Sequence, residues 1–103
     1  MLRILTLVAV VSSLGFAVPA HADPATNADF LNALSKADIK FSDDDSAIKA
    51  GKTVCVLLDM GWQEPDVLND VSSQNPNISP DKAERFTVIA RTEYCPQYLP
   101  PDQ

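Results

Sequence analysis

Cys55 and Cys95 are the only two cysteines of this 103-residue chain, and His21 is its only histidine. These three residues bound the chemistry open to it. The chain begins as an export signal does. Met1-Leu2-Arg3 is a short positive start, and Ile4 to Val18 is almost wholly apolar. Pro19 breaks the run, and Ala20-His21-Ala22 offers the small-x-small pattern that signal peptidase reads. Cleavage is expected after Ala22. The apolar run of about 15 residues falls short of the roughly 20 that span a bilayer. No cysteine stands at the cleavage point to carry a lipid. The expected product is secreted or extracytoplasmic, with no stable membrane anchor. Two thiols exported together meet an oxidising compartment and become one disulfide.

Loss of His21 with the signal leaves a mature chain without imidazole. That removes Ser-His and Cys-His nucleophilic dyads, ordinary zinc sites and histidine-ligated haem. The cysteines could instead be a redox pair, but that role favours Cys-x-x-Cys with a strained, accessible bond. Their spacing is long and Cys55 falls on an apolar stripe, so a structural staple is the better reading. Asp43-Asp44-Asp45 could offer oxygens to calcium. A calcium loop alternates its ligands and ends on a distal bidentate carboxylate, whereas Ala47 and Ile48 follow here. Helix capping accounts better for the run. Asp59, Glu64, Asp66 and Asp70 could supply paired acids for glycoside cleavage. They read as solvated helix sides with no aromatic sugar platform beside them. Tyr94 and Tyr98 are conceivable phenolate ligands, but read as a core residue and a tail residue. No catalytic residue, cofactor or metal site is expected, and the chain is read as a non-enzyme. Trp62 has two readings. It packs over the second helix, or it stands partly exposed as an anchor for a partner, since Trp is enriched in binding hot spots.

Loss of the first 22 residues leaves 81, enough for one domain. The net charge of −6 becomes −7 when Arg3 leaves. That balance argues against nucleic acid and against anionic membrane surfaces. A chain of this size buries only about 60% of its unfolded surface, so a covalent staple matters to it.

Four helical segments must position these residues. The first runs about Asn27 to Ala37, with Phe30, Leu31, Leu34 and Ala37 on one face and Thr26 or Asn27 as cap. Asp38 stops it, because Asp tolerates left-handed backbone. The second runs about Ser46 to Met60. Ala47, Ile48, Gly51, Val54, Cys55 and Leu58 form its stripe, and Val56 and Leu57 add apolar surface, so it is expected to be the central, most buried helix. Gly51 on that stripe implies close contact with another backbone, and Gly61 supplies the stop. The third is short, about Pro65 to Ser73, with Val67, Leu68 and Val71 inward. The fourth runs from Pro80 to Tyr94 behind a Ser79-Pro80-Asp81 start, with Ala83, Phe86, Ala90 and Tyr94 in line. Pro96 biases Cys95 away from helical geometry, so Cys95 is expected where the helix unwinds. Gln97 to Gln103 reads as an extended, flexible tail. The fold class is therefore all-α, a small orthogonal bundle of about four helices stapled by one disulfide, in a single domain over residues 23–96.

Ala50-Gly51-Lys52-Thr53-Val54-Cys55 and Tyr94-Cys95-Pro96 occur together with Phe30-Leu31-Asn32-Ala33-Leu34 and the Asn75-Pro76-Asn77-Ile78-Ser79 turn. In this combination the chain resembles the DUF732 family, small exported proteins mostly of mycobacteria and their relatives. The resemblance covers about Asp29 to Gln97. It implies an all-helical domain with a disulfide between Cys55 and Cys95, and it implies no function. Asp38 departs from the family pattern, where glycine is expected, as does Asp43-Asp44-Asp45, where an Asp-Pro pair is commoner.

Two functional classes follow from the residues. The first is a secreted or envelope-associated interaction module, monomeric, meeting an unknown protein partner through a surface that includes Trp62. The alternative is a carrier of a small apolar ligand or lipid, with Phe30, Leu34, Ile48, Leu58, Phe86 and Ile89 lining an internal cavity.

Overall fold

The structure, a computed structural model, describes residues 24–100. The export signal expected over residues 1–22, and its cleavage site, lie outside that range. The chain forms α1 (Pro24–Lys36), α2 (Asp44–Asp59), α3 (Glu64–Gln74) and α4 (Pro80–Tyr94), then a 3-10 turn over Pro96–Tyr98. Among the described residues there is no strand, as the all-α reading requires.

Each boundary has a local cause. The Asp43 carboxylate caps α2 by accepting the Ser46 N–H at 2.7 Å, and Asp44 and Asp45 follow in the first turn at the positive end of the helix. This cap hydrogen bond holds the Asp43 carboxyl below its usual value. The acidic run is thus a helix start, and α2 begins two residues ahead of Ser46. Ser79 caps α4 through the Lys82 N–H, with Pro80 at the first helical position.

Helices α1 and α2 end in the same way. Asp38 has φ 59° and Gly61 has φ 93°. The Asp38 N–H donates to the Ser35 carbonyl and the Ile39 N–H to the Leu34 carbonyl. Likewise the Gly61 N–H donates to Leu58 and the Trp62 N–H to Leu57. These paired bonds are Schellman closures, which normally call for glycine. Asp38 tolerates the left-handed backbone with outside help. The Lys82 ammonium donates to its carbonyl oxygen at 2.7 Å and to its carboxylate at 3.1 Å. That hydrogen bond, followed by the one from Lys40, holds the Asp38 carboxyl below its usual value.

The core is aromatic at its centre. Phe30 and Phe86 are fully buried and meet edge to face at 5.8 Å. Tyr94 lies 5.0 Å from Phe30 and Phe41 lies 5.2 Å from Phe86, both tilted. Gly51 faces this cluster. The expectation of a close approach to another backbone is corrected here, because its neighbour is the Phe30 ring. A Cβ at position 51 would sit 2.5 Å from Phe30 Cζ.

The expectation that α2 is the most buried helix is also corrected. Helix α4 packs against α1, α2 and α3 and buries Ala83, Phe86, Thr87, Ala90 and Arg91. Helix α2 also meets the other three, but it leaves Val56 52% exposed and Leu57 and Leu58 half-buried. Of the apolar surplus on α2, Leu57 packs against the core and Val56 faces outward. At its other end, α1 begins at Pro24, so Thr26 and Asn27 lie within the helix rather than capping it, and the Asn27 side chain accepts the Tyr94 hydroxyl at 2.6 Å.

The disulfide joins Cys55 of α2 to Cys95, the residue that ends α4, with Cα atoms 5.9 Å apart. Cys95 leaves helical geometry at φ −154° and ψ 66°, as the following proline dictates. Its N–H still donates to the Arg91 carbonyl. The expected tail over residues 97–103 lies partly outside the described residues; its described start is turned rather than extended. The Tyr98 hydroxyl donates to Asp59 at the end of α2, and the Tyr98 carbonyl accepts from Arg91.

Candidate functional site

The α2–α3 connection carries the most exposed apolar side chains. Val56 on α2 and Met60, the residue that caps the helix, lie one turn apart at 52% and 68% exposure, and Trp62 follows at 40%. The backbone beneath them is fixed, because the Schellman closure uses the N–H of Trp62 itself. The Trp62 side chain is thus partly exposed and partly covered.

Trp62 shares a shallow, open concavity with Gln63, Asp66, Asn69 and Asp70. The α3 members recur at helical spacing, on one face. No aromatic platform is expected beside these acids from the sequence, yet folding sets Trp62 beside Asp66 and Asp70. Asp59 and Glu64 are placed elsewhere. Asp59 accepts the Tyr98 hydroxyl, which raises the Tyr98 pKa because ionisation would lose that bond. Glu64 pairs with Arg91 at 3.2 Å.

A second depression of about 470 Å³ lies between the α1–α2 loop, α2 and α3. Phe41, Val54, Leu57 and Val71 line its floor, and Lys40, Lys49 and Asp70 stand at its rim. Asp70 borders both depressions. The six residues expected to line a carrier cavity do not line this groove. Phe30, Leu34 and Phe86 are buried in the core, with Ile48, Leu58 and Ile89 packed against it. These six residues therefore form the core and what packs on it, not the wall of this groove.

Arg91 is the residue that sequence reasoning missed. Its side chain is only 5% exposed. Nε donates to the Thr87 carbonyl, Nη1 to the Tyr98 carbonyl and Nη2 to the Glu64 carboxylate. One guanidinium thereby joins α4, the start of α3 and the C-terminal turn, and steadies the loop that bears Trp62. Its signal was present: Thr87 and Arg91 sit within the Ala83, Phe86, Ala90, Tyr94 stripe, where polar residues are buried only with partners.

Neither tyrosine hydroxyl is free. Burial, with a lesser contribution from the Glu93 charge, pushes the Tyr94 pKa up to about 12. Lys52 stands over the Tyr94 ring at 5.8 Å. Burial first, then the Asp29 charge, raises the Glu93 pKa. Among the described residues no three His, Cys, Asp or Glu side chains converge as metal ligands would.

Short helices closed by Schellman turns, an aromatic core and one buried staple define a small disulfide-bonded all-α domain. The family model described as "Protein of unknown function (DUF732)" matches residues 22–97, and the chain belongs to that family. The chain is also 29% identical over 85 residues to a Mycobacterium tuberculosis (strain ATCC 25618 / H37Rv) protein named "Putative lipoprotein LprJ". That alignment covers 82% of this chain and 66% of the relative's length, just under two thirds. No solved structure matches the chain. Among the described residues no helix is long and apolar enough to cross a membrane.

Proposed function

We propose that the protein works outside the cytoplasm, at or beyond the cell envelope, as a small non-enzymatic module that binds a protein partner through the C-terminal end of α2. The observation that carries this reading is the outward placement of Val56, Met60 and Trp62 on a domain whose core is otherwise closed. Exposed apolar groups gathered on a small domain mark interaction surfaces, and Trp is among the residues that dominate binding energy. The scaffold beneath is rigid, so little freedom is lost on association.

The export signal supports the location, and the relative's name places the word lipoprotein on a similar chain. In the present chain the two cysteines are joined to each other, so neither thiol is free.

The test is affinity capture from an envelope fraction with the exported protein, followed by a binding titration against the partner found. Trp62→Ala should weaken that binding at least tenfold, about 1.4 kcal/mol. A partner bound equally well by Trp62→Ala and Met60→Ser would remove this surface from the argument.

A further inference from the structure

We propose that the groove between the α1–α2 loop, α2 and α3 binds one amphipathic monoanion, a medium-chain fatty carboxylate, with its head at Lys49 and its chain along Phe41, Leu57 and Val71. The surface involved is separate from Val56, Met60 and Trp62, so this inference stands apart from the proposed function.

Size comes first. At about 470 Å³ the groove falls within the roughly 300–1,000 Å³ of small-molecule sites. Its floor is set in place, because Val71 belongs to the core and Phe41 and Leu57 pack against it. The core behind that floor is filled, so an alkyl chain lies along the groove and its length is limited by it.

Charge selects the head group. The chain is acidic overall, with a formal charge of −6. The rim nevertheless sets Lys40 and Lys49 against one carboxylate, Asp70. Lys40 is drawn to Asp38 at 3.3 Å. Lys49 has no carboxylate within ion-pair distance among the described residues. A cationic amphiphile would face two ammonium groups, and a dianion would face Asp70. A neutral chain would leave the exposed Lys49 ammonium to water and gain nothing from it. A single carboxylate gives Lys49 a charge-assisted hydrogen bond beside an apolar surface.

The test uses protein purified after export, freed of copurifying lipid, and titrated by calorimetry and backbone NMR. The probes are decanoate, decanol and decyltrimethylammonium. Decanoate should bind one to one and shift the resonances of Lys49, Leu57 and Val71. Lys49→Glu should weaken it at least tenfold, and Asp70→Asn should tighten it about threefold. Lys36→Glu, an exposed α1 change of equal charge outside the groove, should alter it less than twofold. The proposal fails if decanoate does not bind or if decyltrimethylammonium binds as tightly. It fails also if Lys49→Glu and Lys36→Glu act alike, or if the shifts fall on Val56, Met60 and Trp62.

Discussion

Gly51→Ala sets two well-characterised effects against each other. In an exposed helix interior, alanine is favoured over glycine by about 1 kcal/mol. At position 51 the added methyl would lie 2.5, 2.9 and 3.1 Å from three Phe30 ring atoms. Relief requires the ring to move, and it is boxed in. Phe30 is fully buried, with Phe86 at 5.8 Å on one side and Tyr94 at 5.0 Å on another. Tyr94 is itself tied to Asn27 at 2.6 Å. Overpacking costs about 1–3 kcal/mol, and this enclosure puts the cost near the upper end. After the propensity gain, the net loss is about 2 kcal/mol. For a domain of this size that is a fall in melting temperature of roughly 8–16 °C. Urea and thermal unfolding of the oxidised protein, followed by circular dichroism, measure it. Adding Phe30→Leu supplies the second arm, since the smaller side chain leaves room for the methyl. Gly51→Ala should then cost less in the Phe30→Leu background than in the parent, giving a favourable coupling in the double-mutant cycle. The reasoning is refuted if Gly51→Ala melts higher than the parent. That outcome would show that the aromatic cluster yields and that helix propensity governs the position.

Two further predictions concern the staple and the tyrosines. Cys55→Ser/Cys95→Ser should lose roughly 4 kcal/mol by the chain-entropy relation for a loop of this length, with Cys55→Ser alone losing no less; an unchanged urea midpoint under reducing conditions would contradict it. Both tyrosines should ionise above their ordinary range in an absorbance titration, Tyr94 near pH 12. A folded-state pKa raised above the unfolded value of about 10 stabilises the fold fully below that value, and the contribution is lost as pH rises from there through the folded pKa. Alkaline unfolding should therefore accompany Tyr94 ionisation, and Asp59→Asn should bring Tyr98 alone back towards its usual value.

Much of this protein is written locally. The helix starts at Asp43 and Ser79, the left-handed stops at Asp38 and Gly61, and the unwinding at Cys95 before Pro96 each depend on a few neighbouring residues. Backbone sterics and capping act over that same range, so these features are legible along the chain. The single staple is legible too, because two cysteines admit only one intramolecular pairing. What tertiary structure decided involves residues far apart. Gly51 meets a ring of α1, Lys82 supports the left-handed turn at Asp38, and Arg91 gathers Glu64 and Tyr98. Trp62 and the α3 acids share a concavity only because the Gly61 turn sends α3 back beside α2. Periodicity assigns a residue to a face and leaves open what that face meets. For that reason Val56 and Leu57 both read as core on an apolar helix, although Leu57 packs against the core while Val56 is left to solvent. The staple, the caps and the helices belong to the sequence; the filled core, the open groove and the exposed end of α2 follow from how four short helices cross.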